Sequence, residues 1–321
     1  MARQRTTRIG LFATGAVALA SGACSLIFAT SDEQCTTDAD CQRRGSAFAT
    51  AICAANACVT TTAPETDASD AGTLTDGDVA DGPFACALDP PPIPDPNKPV
   101  DVVMRFTDFT AGAPVTNANV RLCGVADPAC GKPRTLEGDG ASDAGAEAGS
   151  GWVLPNTTGE VKAKVEYGFD GFFEVLSPAY APTYRFTSPA LRAPATRFEQ
   201  LVFTTNEVRF IAELTFGAGA LSPEHGLVFV FARDCFQNPI GGASFRTTAL
   251  DPLLKSFVII NSTPSIDETT SDGAGRGGFL NVPEGIHTFI AFHDNGTKKL
   301  GSARAFVRKG AVTTVGIAPS P

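Results

Sequence analysis

From Val100 onward, apolar and polar residues alternate in short runs broken by clusters of Gly, Pro, Asn and Asp. A two-residue period places successive side chains on opposite faces of an extended chain. Strands are therefore expected at Val100–Asp108, Ala118–Cys123, Val161–Glu166, Phe172–Leu176 and Thr183–Thr187. A second set follows at Leu227–Ala232, Ala243–Thr247, Ser256–Ile260, Gly278–Val282, Ile286–His293, Ala303–Val307 and Val312–Ile317. One stretch breaks the period. Thr204-Thr205-Asn206-Glu207 is a capping box ahead of Val208, Ile211 and Ala212, and Gly217 is a stop, which predicts a helix. Regularly spaced strands with one helix predict a mainly β chain of two β-sandwich domains. Their expected bounds are 100–203 and 218–321, with the connecting helix at 204–217. Ile286, Ile290 and Phe292 share one strand face and are expected in the core.

The first hundred residues read differently. Arg3, Arg5 and Arg8 precede an apolar run from Ile9 to Ala20, then Ser21-Gly22-Ala23 and Cys24. A basic start, a short apolar stretch and small residues make a secretory signal peptide at 1–23. Cys24 directly after the small residues resembles a bacterial lipobox, which implies a lipidated, membrane-anchored N-terminus. Ser21 stands where that motif usually has Leu, and an ordinary cleaved signal is the alternative. The apolar run is too short for the ~20 residues of a spanning helix. Residues 24–58 form a small Cys-rich segment, and 59–99 read as a disordered acidic and Pro-rich stalk.

Charge and cysteine usage agree with export. The formal charge is −9; without residues 1–23, three of the 25 basic residues go and the 34 acids stay, leaving −12. Basic stripes are missing, which argues against nucleic acid as a partner. Beside Cys24 there are Cys35, Cys41, Cys53, Cys58, Cys86, Cys123, Cys130 and Cys235. An even set in an exported chain reads as disulfides. Cys35–Cys53 with Cys41–Cys58 is favoured in the N-terminal cluster, although four cysteines allow three connectivities. Zinc competes there, but the close C-x2-C pairs of zinc sites are absent. Cys123 and Cys130 flank one loop and are expected to bridge, which leaves Cys86 to join Cys235.

The two β regions also resemble each other. Val103–Phe106 and Pro114–Val120 align with Val228–Phe231 and Pro239–Phe245 at a constant offset of 125 without a gap. A strand, then P-[VI]-x-x-A-x-[VF], a T-x-D-x-x-G-like turn and V-P-x-G resembles the carboxypeptidase regulatory-like β-sandwich, related to transthyretin. Ser271-Asp272-Gly273 through Phe279 and Val282-Pro283-Glu284-Gly285 carry the fuller match. In the first copy Glu166-Tyr167-Gly168 replaces V-P-x-G. The resemblance covers residues 100–320 and implies two Ig-like or prealbumin-like β-sandwich domains that act as an accessory, non-catalytic module. With the signal, it resembles the surface lipoproteins of Gram-negative bacteria, which implies an outer-membrane location.

Catalytic chemistry finds no motif. None of His225, His287 and His293 begins an H-x-x-E zinc pair, and all three read as surface or rim residues. A phosphate loop at Gly124–Lys132 has the wrong spacing, and no G-x-S-x-G elbow occurs. No metal or cofactor is expected, and no enzymatic activity. The leading reading is a displayed binding or structural module. Its candidate contacts are the aromatics Trp152, Phe169, Phe172, Phe173, Tyr180 and Tyr184. Carbohydrate binding and a hydrolase with an unrecognised site are the alternatives.

Overall fold

The computed structural model describes residues 37, 39, 42, 51–54, 57–60, 83–138, 151–193, 195–293 and 296–320. The chain forms two compact units, 1–68 and 69–321. In the first, β1 (Ala51–Ala54) and β2 (Ala57–Thr60) make an antiparallel hairpin in which Cys53 is the register partner of Cys58. Cys24, Cys35 and Cys41 lie outside the described residues, as does most of the acidic linker.

The second unit is mainly β and contains both expected sandwiches. In the first sandwich, β3 (Asp95–Asp108) pairs antiparallel with β6 (Glu160–Tyr167) and parallel with β9 (Ala195–Val202). The short β5 (Leu136–Glu137) completes a four-stranded sheet in the order β5-β6-β3-β9. Facing it are β4 (Asn119–Gly124), β7 (Gly171–Ser177) and β8 (Tyr180–Phe186). Their core holds Val102, Met104, Phe106, Val120, Leu122, Val161 and Phe173.

The second sandwich repeats this plan. β10 (His225–Ala232) pairs antiparallel with β14 (Arg276–Pro283) and parallel with β17 (Val312–Ile317). β12 (Lys255–Ile260) and β13 (Thr263–Ser265) extend that sheet. Opposite lie β11 (Ser244–Thr247), β15 (Gly285–His293) and β16 (Lys298–Val307). β3 with β6 and β9 thus corresponds to β10 with β14 and β17. The gap-free offset of 125 needs one correction. Phe106 donates its amide to Gly159 and accepts from Val115, and Ala232 donates to Gly275 and accepts from Ile240. Over these strands Val102, Met104 and Phe106 match Val228, Val230 and Ala232, one residue beyond that offset. A one-residue slip turns every side chain to the other face, so the core fixes the register and the following loop absorbs the difference.

The two sandwiches do not stand apart on a helical connection. β8 pairs in parallel with β17, with Thr183, Tyr184 and Arg185 opposite Val312, Thr313 and Thr314. This pairing merges two sheets into one of eight strands, ordered β13-β12-β14-β10-β17-β8-β7-β4. The edge of each sandwich satisfies the other's free backbone groups. One buried cluster consequently spans both halves, joining Phe172, Tyr184 and Phe186 to Val228, Phe279 and Phe306.

Helix α1 (Thr205–Phe216) has the expected ends. Thr204 accepts from the Glu207 amide, Glu207 accepts from the Thr204 amide, and Gly217 caps the C-terminus at φ 93°. Val208 and Ala212 face inward with Phe203 onto Leu227, Phe229, Leu280 and Val312 of the merged sheet. The helix therefore roofs the second sandwich.

Further expectations are overturned. β15 buries Phe289, Ala291 and His293, so Ile286, Ile290 and Phe292 lie on its outer face, and Ile286 is 61% exposed. This strand is apolar on both faces, and alternation alone does not say which is inner. Arg246 covers Phe292, its guanidinium 4.5 Å from the ring centre. The stalk also ends earlier than 99. Ala85–Leu88 form a short 3-10 turn, and Phe84 stacks on His293 at 4.8 Å. Asp95 and Pro99 already pair with Tyr167 and Glu166 across a β-bulge. The prolines fit there because the strand's first five positions are solvent-facing.

Candidate functional site

The aromatic residues proposed as contacts separate sharply. Phe169, Phe172, Phe173 and Tyr184 are buried, so four of the six are core residues and not contacts. Within β7 the strand period gives the reason: Phe172 faces the shared core while Phe173 faces the first sandwich's own core. Tyr180 is half-buried and donates its hydroxyl to Asp108 at 2.9 Å. Trp152, also half-buried, lies 4.3 Å from the Arg121 guanidinium.

Arg121 belongs to a polar cluster that the sequence did not announce. Glu174, 6% exposed, accepts from Arg121 Nε at 2.6 Å and from the Tyr184 hydroxyl at 3.0 Å. Burial and the neighbouring Glu174 charge push the Tyr184 phenol well above its usual range. Arg308 covers Tyr184 and Phe306 and donates to the Pro128 carbonyl at 2.6 Å. The cluster gives a buried carboxylate both a charged and a neutral partner, as buried charge requires.

Cys123 and Cys130 are disulfide-bonded beside this cluster, with Cα atoms 5.3 Å apart. Their sulfurs and a Glu174 oxygen lie within 4.8 Å of one another, but bonded cysteines offer no thiolate to a metal. Cys86 and Cys235 form a second disulfide, with Cα atoms 5.6 Å apart. The Cys235 amide also donates to the Pro83 carbonyl at 2.9 Å. The chain is thus fastened to the end of the second sandwich before it begins the first.

The histidines do not lie free on a rim. His293 is buried, and His287 sits opposite the Pro283 carbonyl, Nε2 to O 2.9 Å. His225 Nδ1 lies 2.7 Å from Ser222 Oγ, and its Nε2 lies 3.1 Å from Asp251 Oδ2. Ser222 and His225 belong to one tight turn, closed by the His225 amide on the Ser222 carbonyl. Asn281 locks this arrangement from below. It is buried at a β-bulge with φ 58°, accepts from the Ser222 amide, and donates to the carbonyls of Ala220 and Leu253. The serine–histidine–aspartate chain therefore ties two loops together. No spacing signal exists for it, because Asp251 and Asn281 reach His225 and Ser222 only through the fold.

No family model matches the sequence, and no curated protein matches it. Solved structures give loose superpositions. One is the Bacillus anthracis TIE protein, at TM-score 0.24 and 9% identity, covering 70% of this chain and 34% of that one. This chain thus spans about a third of that protein's length. The shaft pilin SpaA from Lactobacillus rhamnosus GG superposes at TM-score 0.21 and 13% identity, covering 70% of this chain and 98% of that one. A streptococcal ancillary pilin gives TM-score 0.20 and 14% identity, covering 70% and 64%. Among the described residues, no helix is long and apolar enough to cross a membrane.

Proposed function

We propose that the protein is an exported lipoprotein, anchored through Cys24, that displays a fused pair of β-sandwiches at the cell envelope as a binding or structural module. The observation that carries this reading is the disulfide between Cys86 and Cys235. It fixes the module to the chain at the point where the N-terminal segment arrives. A tether attached at Cys24 would pull on that point, and a covalent bond there passes load directly into the second sandwich. Disulfides of this kind persist in oxidising compartments. The carboxypeptidase regulatory-like resemblance and the basic, apolar, cysteine-ended leader support the same reading. A protein or glycan is the partner class such a module serves, and the outer membrane is its proposed location.

Accessibility on intact cells tests the display. In a Gram-negative host, the wild-type chain is expected to be labelled by a membrane-impermeant biotin reagent and to stay with the membrane fraction. Cys24→Ser is expected in the soluble fraction. Wild-type protein recovered soluble and unlabelled would contradict the reading.

A further inference from the structure

Three arginines form a line on the merged sheet of this acidic chain. Arg185 of β8 is the register partner of Thr314 of β17. Phe231 of β10 is the partner both of Gly316 on β17 and of Arg276 on β14. Arg233 follows just past the end of β10. These positions share the face that α1 roofs further along the strands.

Arg185 is 9% exposed, and among the described residues no carboxylate pairs with it. One of its terminal nitrogens donates to the Phe186 carbonyl at 3.0 Å. Its Nε is buried without a partner, as are Arg276 Nε and the Thr314 hydroxyl. The Phe198 and Phe231 rings flank the guanidinium at 5.2 and 5.8 Å. Arg233 lies 5.5 Å from the same Phe231 ring. Burial and the like charge of Arg233 pull Arg185 down to about 10, and burial and Arg276 lower Arg233 against the opposing charge of Asp234.

Two acids act on the outer cations, Asp234 on Arg233 and Asp272 on Arg276, and neither acts on Arg185. Asp234 accepts from the Phe236 and Asn238 amides and from the Asn238 side chain. Asp272 accepts from the Ala274 and Asn261 amides. Buried charge is ordinarily paired, and Arg185, the most buried of the three, has among the described residues no anion beside it. Guanidinium groups match planar and tetrahedral oxyanions through their forked donors.

We propose that this line is a binding site for an oxyanion, a carboxylate or phosphate group, with Arg185 at its floor and the half-buried Arg233 and Arg276 at its rim. The rim cations draw the anion in, and the Arg185 and Thr314 donors hold it between two aromatic rings. The site does not depend on how the protein is anchored.

Thermal melting of the full mature chain tests it, in inorganic phosphate and in acetate, each against sodium chloride at equal ionic strength. At a ~10-fold excess over Kd, phosphate or acetate is expected to raise the melting point by about 3–6 °C. Whichever of the two acts identifies the oxyanion class. Arg185→Met and Arg233→Gln are expected to abolish the rise, and Lys309→Gln, on the exposed surface, to keep it. Arg185→Met is also expected to melt no lower than wild type in chloride, since it removes an unpaired buried charge. Identical wild-type melting in all three salts overturns the proposal. So does an Arg185→Met protein that keeps the rise. Should that variant not fold, Arg233→Gln decides: loss of the rise supports the site and retention overturns it.

Discussion

Phe306 of β16 meets Phe172 of β7 edge-on, with ring centres 4.6 Å apart. Tyr184 and Phe186 close on the same ring at 5.3 and 5.1 Å. One side chain from the second sandwich thereby sits among three aromatics of the first. Backbone pairing of β8 with β17 joins the sheets, and this ring cluster gives the joint its apolar packing. Phe306→Ala is expected to destabilise the unit by about 3–5 kcal/mol through lost burial and the cavity left behind. Urea denaturation followed by circular dichroism reads this directly. A loss below about 1 kcal/mol would mean that the joint is held elsewhere.

The two disulfides among the described residues differ in what they close. Cys86–Cys235 spans 149 residues and Cys123–Cys130 only 7. Loop-closure entropy favours the longer loop. Cys86→Ser with Cys235→Ser is expected to lose about 2–4 kcal/mol, and Cys123→Ser with Cys130→Ser less. Denaturant midpoints of the two double variants check the order. A larger loss from the short loop would show that the long bond does not brace the module.

Asn281 combines a left-handed backbone with three partly buried side-chain hydrogen bonds. Asn281→Ala forfeits both and is expected to cost about 2–4 kcal/mol. Asn281→Gly keeps the backbone freedom and loses only the bonds, so its cost is expected to be smaller. Equal costs for the two variants would remove the backbone from the explanation.

Acid stability follows from four carboxylates held below their ordinary value of 3.8. Amide hydrogen bonds are the main cause: from Ala111 to Asp108, Gly131 to Asp127, Leu253 to Asp251 and Ala274 to Asp272. A depressed folded value means that the folded state favours the ionised form. That contribution is complete above the unfolded value and disappears as pH falls through the folded one. The melting temperature is expected to fall as the pH drops below about 4, and Asp272→Asn is expected to reduce that fall. An unchanged acid limb in this variant would show that Asp272 takes no part.

Much of the fold was legible in the chain, and the gaps have physical causes. Alternation located most of the long strands, and the Thr204–Glu207 box with Gly217 located the helix. β9 escaped because Gln200 occupies an inward position between Phe198 and Val202, which breaks the apolar pattern. Alternation turns the wrong face of β15 inward because both of its faces are apolar. The merging of the two sandwiches left no local mark, since β8 and β17 are separated by more than a hundred residues. Candidate sites were less legible still. Four of the six aromatic residues suited to recognition are core, while Glu174, Asn281 and Arg185 acquire their surroundings only from tertiary neighbours.

Mass spectrometry of the mature N-terminus, on protein purified from membranes of a Gram-negative host, tests the tethered-display reading most directly. The expected product begins at Cys24 and carries the added mass of lipid on that residue. A mature chain that begins beyond Cys24, or retains an unmodified Cys24, would contradict it.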